Sequence, residues 1–201
     1  MMTRLADIAS VLPVYPFRKK VEPEEGGDVA VIQVRDVDVG NAGLNLLKGA
    51  IWLRNDSSKY DRYLLNPGDL LFQSRGSRHP VVVVACGLNA IAASGLHVIR
   101  PIQGRAVPEY LAWWFNHPVS QGKLAKDVAR GTYIPFISKK DLEGFLVPMP
   151  VAEVQMRIVE VDRLRRRERE LREGLDTLTQ QLVDNATLTA AVRNNLRRQN
   201  K

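Results

Sequence analysis

The side chains best suited to chemistry crowd into one short loop bounded by glycine and proline. Arg75, Ser77, Arg78 and His79 lie close together, and Pro80 follows them. An arginine guanidinium can bond guanine at two points, and a serine hydroxyl can hold a phosphate oxygen. The loop therefore predicts contact with nucleic acid through Arg75, Ser77 and Arg78. A loop that is simply solvated fits the same residues equally well.

A second group of basic residues follows a predicted helix and the loop after it. Lys123, Lys126 and Arg130 recur at steps of three and four, which places them on one helical face. A positive face beside a Gly-Thr loop suits contact with phosphates, and a merely solvated face is the alternative. The predicted DNA-binding residues of this second group are Lys123, Lys126, Arg130, Thr132, Tyr133 and Lys139.

Patterns for catalysis and metal binding are missing from the sequence. It contains no P-loop and no G-x-G-x-x-G stretch. The three histidines, His79, His97 and His117, are scattered without ligand spacing. The single cysteine, Cys86, allows neither a disulfide within the chain nor a thiolate metal site. We therefore predict no catalytic residue, no metal and no cofactor bound by this chain.

The charge balance predicts a polyanionic partner. The formal net charge is +7 and the isoelectric point is near 9.8. Nucleic acid is the leading candidate and an anionic membrane surface the weaker one. No run of about 18 apolar residues could span a bilayer, and the first ten residues lack a signal-peptide core. We therefore expect no membrane association and a cytoplasmic location.

The last quarter of the chain predicts one long helix. Glu153–Arg198 contains no proline and only one glycine, Gly174, and its apolar residues alternate steps of three and four. At ~1.5 Å per residue, such a helix is ~65 Å long, so we expect a partner helix. A helix folded back on its own domain is the alternative. The positions at these alternating steps form one stripe along the helix, the seam. Glu168, Asn185 and Thr189 interrupt the seam and are expected to set its register. The predicted dimer interface is Leu164, Leu171, Leu175, Leu178, Leu182, Asn185 and Val192.

The preceding residues predict an α+β domain. Short apolar runs such as Val29–Val34 and Leu70–Gln73 predict strands, and Asn66–Asp69 predicts a turn between them. Many short strands between turns favour a curled, mostly antiparallel sheet, with short helices beside it. Thr3–Ser10 predicts one or two helical turns. We therefore divide the chain into a globular domain, residues 1–150, and a coiled-coil helix, residues 151–201.

Several short motifs, taken in order, resemble the specificity subunit of type I restriction–modification systems. The set is specific because of its order and because the long helix follows Pro-x-Pro at once, with a glutamine in its first turns. The motifs are Leu5–Ala9, Val31–Val37, Tyr63–Phe72, Arg75–Ser77, Pro108–Ala112, Gly131–Thr132, Ile137–Ser138, Leu146–Pro150 and Glu153–Val159.

The resemblance implies a non-catalytic chain that reads DNA for partner enzymes. A globular target recognition domain reads one half of a bipartite sequence in the major groove of double-stranded DNA. The helix fixes the spacing to the other half and docks methyltransferase subunits, which would bind S-adenosylmethionine; a restriction subunit is a further possible partner. The family's usual subunit carries two such domains and two helices, whereas this chain carries one of each. We therefore expect a half-subunit that forms an antiparallel homodimer and reads an interrupted palindrome.

Two other functions fit parts of the sequence. A free-standing DNA-binding regulator could use the helix to dimerise, and co-purification of methyltransferase subunits would separate it from a specificity subunit. A coiled-coil assembly protein without a nucleic-acid role would show no salt-dependent affinity for DNA.

Overall fold

The computed structural model describes residues 1–38, 43–44, 51–84, 89–128 and 136–199, without the side chains of 38, 43–44, 57, 126–128 and 191–199. The chain forms two compact units, Met1–Val159 and Glu160–Lys201. The strands are β1 (Met2–Arg4), β2 (Ala9–Leu12), β3 (Val29–Ile32), β4 (Val37–Asp38), β5 (Gly43–Leu44), β6 (Ile51–Leu53), β7 (Leu70–Gln73), β8 (Val81–Val83), β9 (Ala90–Ala92), β10 (Leu96–Pro101) and β11 (Leu146–Pro148). The α-helices are α1 (Pro108–Asn116), α2 (Pro118–Val128), α3 (Lys139–Gly144) and α4 (Ala152–Gln199).

The largest sheet has four antiparallel strands in the order β2-β10-β7-β8. Successive side chains of a strand point to opposite sides, and Leu70, Leu71 and Phe72 of β7 are all buried. The strand is therefore buried on both faces. Leu70 and Phe72 pack into one apolar cluster, with α1, and Leu71 packs into a second. Burial on both faces explains the uninterrupted apolar run that predicted this strand.

A smaller sheet, in the order β6-β3-β9, shares the second cluster. Ala30 and Ile32 of β3 face that cluster, and Val29 and Val31 face a third cluster that contains Tyr60. β3 pairs with β6 antiparallel and with β9 parallel. The α+β class and the mostly antiparallel pairing are therefore confirmed, with one parallel pair among the described strands.

The predicted turn at Asn66–Asp69 is held by a buried carboxylate. Asp69 accepts a hydrogen bond from the backbone N–H of Asn66 at 2.7 Å and pairs with the Arg100 guanidinium at 2.7 Å. This pairing raises the pKa of Arg100, because the carboxylate favours the charged guanidinium. The pair therefore ties the turn before β7 to β10, which carries Arg100.

The prediction of helical turns over Thr3–Ser10 is wrong apart from one turn. A single 3-10 turn, Leu5–Asp7, stands between β1 and β2. β1 pairs with β11, which places Thr3 opposite Val147, and β2 pairs with β10. These long-range ladders override the weak local helical pattern.

The predicted long helix is confirmed as α4, and its first turns belong to the first unit. The buried Gln155 side chain accepts a hydrogen bond from the backbone N–H of Val107 at 3.0 Å and donates one to the Pro150 carbonyl at 2.9 Å. Ile158 and Val159 pack against the first apolar cluster. Among the described residues, no helix combines the length and apolar character that crossing a membrane requires.

Candidate nucleic-acid interface

The loop that carries the predicted DNA contacts, Ser74–His79, closes on itself between β7 and β8. The backbone N–H of Gln73 donates to the Pro80 carbonyl at 3.0 Å, and the Gln73 side-chain amide donates to the Arg75 carbonyl at 2.7 Å. Gly76 has a φ of +113°, and a Cβ there would lie 3.3 Å from the Gln73 amide nitrogen. Glycine therefore permits the turn that these two hydrogen bonds close.

Three separate segments brace the same loop. Buried Ser74 donates from its N–H and from its hydroxyl to the Gly95 carbonyl, both at 2.9 Å. The backbone N–H of Ile137 donates to the Ser74 carbonyl at 2.9 Å. Gln121 of α2 accepts from the His79 N–H at 3.0 Å and donates to the His79 carbonyl at 2.9 Å. The loop is therefore fixed to the turn before β10, to the segment before α3 and to α2.

This frame leaves the three predicted contact residues of the loop at the surface. The side chains of Arg75, Ser77 and Arg78 are exposed. The Arg75 guanidinium lies 5.5 Å from the centre of the Phe136 ring, in a cation–π contact that orients it. A loop that is ordered before binding loses less conformational entropy when a ligand binds. The geometry therefore offers two arginines and a hydroxyl on a preformed loop.

His79 anchors this loop in the apolar core. Its ring is buried, stacks on Phe72 with the ring centres 5.6 Å apart, and bonds the Gln73 carbonyl through Nδ1 at 2.9 Å. Burial lowers the pKa of His79, because the charged imidazolium is poorly solvated there. The ring is therefore neutral at pH 7 and serves the fold rather than ligand binding.

Two residues of the second basic group lie on helices that carry or directly follow a brace of the loop. Exposed Lys139 begins α3, two residues after Ile137, and pairs with Glu143 at 3.5 Å. Lys123 lies on α2, the helix that Gln121 joins to the loop, with its ammonium 5.6 Å from the Trp114 ring centre. Four other predicted contacts lie outside the described side chains: Lys126, Arg130, Thr132 and Tyr133.

A basic cleft of about 510 Å³ lies elsewhere in the first unit and includes Ala93 and Ser94, which precede the Gly95 that Ser74 bonds. Ser94 lines one wall, in the turn whose Gly95 carbonyl accepts the hydrogen bonds of Ser74. A Cβ on Gly95 would lie 2.9 Å from a methyl group of Val34, so this turn packs directly on the chain between Gln33 and Arg35. Side chains suited to phosphates and bases line the cleft, with Glu22 as the acidic one: Lys19, Lys20, Gln33, Arg35 and Ser94.

Sequence reasoning did not assign this cleft to a site. The adjacent basic residues Arg18, Lys19 and Lys20 were its one local signal. Gln33, Arg35 and Ser94 join them only through the packing of distant segments, which no single-sequence pattern reports.

The predicted interface residues of the long helix are exposed. The leucines at 164, 171, 175, 178 and 182 each have 54–71% of their surface open, and Asn185 is exposed as well. Glu160 pairs with Arg163 and Glu168 with Arg172, both at 2.7 Å and both within the helix. The side chain of Val192 lies outside the described residues. Within Glu160–Ala190, the described helix thus presents an apolar stripe between self-paired charges.

A metal centre has no support in the described part of the chain. No group of three or more His, Cys, Asp or Glu side chains is arranged there to hold an ion. Cys86 lies outside the described residues.

A family model described as the type I restriction modification DNA specificity domain matches residues 1–175. The chain belongs to this family. Its members are non-catalytic target-recognition domains of type I restriction–modification systems, which confirms the predicted family and the prediction of a non-catalytic chain. A comparison with curated proteins found no match.

Three solved structures have a similar fold over the residues that they match. One is a chain from a type I R-M system solved in a study of its complex assembly and conformational transition: identity is 20%, the TM-score is 0.62, and the match covers 87% of this chain and 40% of that one. The HsdS subunit from Thermoanaerobacter tengcongensis is 21% identical with a TM-score of 0.60, and the match covers 87% of this chain and 39% of that one. The S subunit from M. genitalium is 12% identical with a TM-score of 0.53, and the match covers 80% of this chain and 37% of that one. The chain thus spans about 40% of the length of these subunits.

Proposed function

We propose that this chain is a DNA-recognition subunit that directs methyltransferase subunits, and a restriction subunit where one is present, to a bipartite site in the cytoplasm. Residues 1–150 read one half-site, and residues 151–201 pair the chain and set the spacing. The partner methyltransferase subunits, rather than this chain, bind S-adenosylmethionine. The observation that carries the proposal is the braced loop with Arg75, Ser77 and Arg78 exposed on it.

The geometry suggests a division of labour within the interface. Arg75 and Arg78 are placed to bond guanine edges in the major groove, because each guanidinium offers two parallel donors. Lys19, Lys20 and Arg35 of the basic cleft supply charge for phosphates, which position the duplex without reading it. Specificity therefore resides in the loop, and the cleft contributes affinity that depends on salt.

The proposed partner of the helix is a second copy of the chain. The exposed leucine stripe supports pairing, because leucines repeated at this spacing gain free energy when a facing helix covers them. Two copies related by a two-fold axis would supply two recognition domains, as the usual subunit of the family does. Identical domains facing opposite ways would read an interrupted palindrome.

Selection of duplexes from a random pool, followed by affinity measurements at several salt concentrations, tests DNA recognition. Arg75→Ala and Arg78→Ala should each weaken binding to the selected sequence by about 1–3 kcal/mol and relax one base position. Arg54→Ala is the matched control, because Arg54 is also exposed and its guanidinium pairs with Asp56 at 3.8 Å. Selection that yields no shared sequence contradicts the proposal.

A pull-down with the methyltransferase subunits tests the second half of the proposal. Their capture by the full chain is the expected result. A chain that binds a palindrome but captures no methyltransferase subunit is instead a free-standing regulator. A chain that dimerises without any salt-dependent DNA affinity is an assembly protein.

A further inference from the structure

The seam of α4 carries two side chains of complementary hydrogen-bonding chemistry. Glu168 offers only acceptors, and its carboxylate is paired with Arg172 of the same helix at 2.7 Å. Asn185 carries an amide that can donate two hydrogen bonds. Every seam position between Glu168 and Asn185 is an exposed leucine: Leu171, Leu175, Leu178 and Leu182.

Given the pairing of two copies proposed above, on which this inference rests, we propose that Glu168 lies opposite Asn185 of the second copy in an antiparallel helix pair. Facing residues of an antiparallel pair have a constant sum of residue numbers, so this one contact fixes the whole register. The two-fold axis then passes between Asp176 and Thr177. The layers, each formed twice, are Leu175 with Leu178, Leu171 with Leu182, Glu168 with Asn185 and Leu164 with Thr189.

Competing antiparallel registers put the polar seam residues opposite apolar side chains. A slide of one heptad in one direction puts Glu168 opposite Leu178 and Asn185 opposite Val161. The same slide in the other direction puts Asn185 opposite Leu175. A parallel, in-register pair puts Glu168 against Glu168 of the second copy, where like charges repel. Burying the Asn185 amide opposite a leucine or a valine leaves its hydrogen bonds unmade and costs free energy, so among antiparallel registers the one with facing Glu168 and Asn185 is preferred.

This register has a consequence for DNA recognition. α4 is continuous from Ala152, so a fixed axis at Asp176–Thr177 places the starts of the two helices ~75 Å apart along the pair, at ~1.5 Å per residue. A slide of one heptad would change that separation by ~10 Å, the length of ~3 base pairs. The polar pair would therefore hold the spacer length of the bipartite site.

Cysteine cross-linking between differently tagged, co-expressed copies tests the register. In a Cys86→Ser background, Leu171→Cys in one copy and Leu182→Cys in the other should form a disulfide-linked heterodimer under mild oxidation, because these positions face each other. Leu164→Cys with Leu182→Cys reports the slide by one heptad, and Leu171→Cys alone reports a parallel pair. Cross-linking of either control above the 171/182 pair overturns the proposed register.

Light scattering on the same preparations separates failure of the register from failure of the proposed function. A dimer with another cross-linking pattern overturns the register alone. A monomer overturns the register together with the pairing on which it rests. DNA selection by the same preparations reports on the recognition function independently of both results.

Two double variants test the role of the polar pair itself. Glu168→Leu with Asn185→Leu makes the seam uniform, so the 164/182 cross-link should appear beside the 171/182 one. Glu168→Asn with Asn185→Glu exchanges the two groups and should keep the original pattern. A double-leucine variant that still forms only the 171/182 cross-link would show that Glu168 and Asn185 do not set the register.

Discussion

The loop Ser74–His79 and the exposed stripe of α4 differ in what holds their side chains. Hydrogen bonds from Ser74, Gln121 and Ile137 fix the loop to three other segments of the first unit. Four ion pairs are described within α4 after Val159, among them Glu160 with Arg163. The loop is therefore held by contacts within its own unit, whereas the apolar stripe of α4 is exposed.

This difference separates two sources of specificity. A braced loop can discriminate bases because its arginines are positioned before the DNA arrives. In the proposed function, the exposed leucine seam does not read bases but selects the partner chain and sets the register. Substitutions in one region should therefore leave the property of the other region intact.

The largest expected effect comes from charging the seam. Leu175→Asp with Leu178→Asp introduces four carboxylates into the proposed dimer and removes four buried leucines, at about 1.5 kcal/mol each, or about 6 kcal/mol in total. Light scattering at tens of micromolar should then report a monomer. The thermal midpoint of the first unit should not change.

Val183→Asp is the matched control for this experiment. Val183 is an exposed apolar residue of the same helix, but it lies off the seam, so its substitution should leave the dimer intact. A double variant that remains dimeric, or a Val183 variant that dissociates, contradicts the assignment of the seam.

A smaller effect is expected from removing the brace on the loop. Gln121→Ala breaks hydrogen bonds to the N–H and carbonyl of His79 and to the Phe115 carbonyl. Loss of these partners should lower the free energy of unfolding of the first unit by about 1–3 kcal/mol. It should also weaken discrimination among selected duplexes, since Arg75 and Arg78 lose their fixed frame.

Gln180→Ala provides the comparison on the helix. Gln180 donates to Asp184 on the exposed surface of α4, so its substitution should change stability by less than about 0.5 kcal/mol. Equal losses of stability in the Gln121 and Gln180 variants would show that the loop is not braced more firmly than the helix surface.

The sequence predicted those features that local patterns determine. The strand β7 ends at Gln73 as predicted, and α4 follows the continuous apolar spacing with no proline inside it. The parallel pairing of β3 with β9 could not be predicted, because it joins segments far apart in the chain. The basic cleft could not be predicted for the same reason, since Lys19, Arg35 and Ser94 meet only after folding. The DNA contacts of the loop and the pairing of the helix seam remain predictions. DNA selection tests the first, and light scattering tests the second.

The smallest expected effect concerns pH, and it should appear in the first unit alone. Burial lowers the pKa of His79 in the folded state, so below the unfolded value of about 6.5 the unfolded chain binds more protons than the folded chain. Stability contributed by the neutral ring is complete above that pH and falls as the solution is made more acid. The expected loss between pH 7 and pH 5 is on the order of 1 kcal/mol, measured by urea unfolding.

His79→Asn sharpens this test, because the asparagine amide can still donate to the Gln73 carbonyl where Nδ1 does in the native protein. The variant should lose stability at pH 7, since the stacking on Phe72 is gone, but its stability should fall less between pH 7 and pH 5. Between pH 7 and pH 8 the two proteins should respond alike, because the His79 ring is neutral in both states. A native protein whose stability does not fall toward pH 5 more steeply than that of the variant would mean that the loop is open enough for His79 to take up a proton without cost, and the preformed loop would then lose its main support.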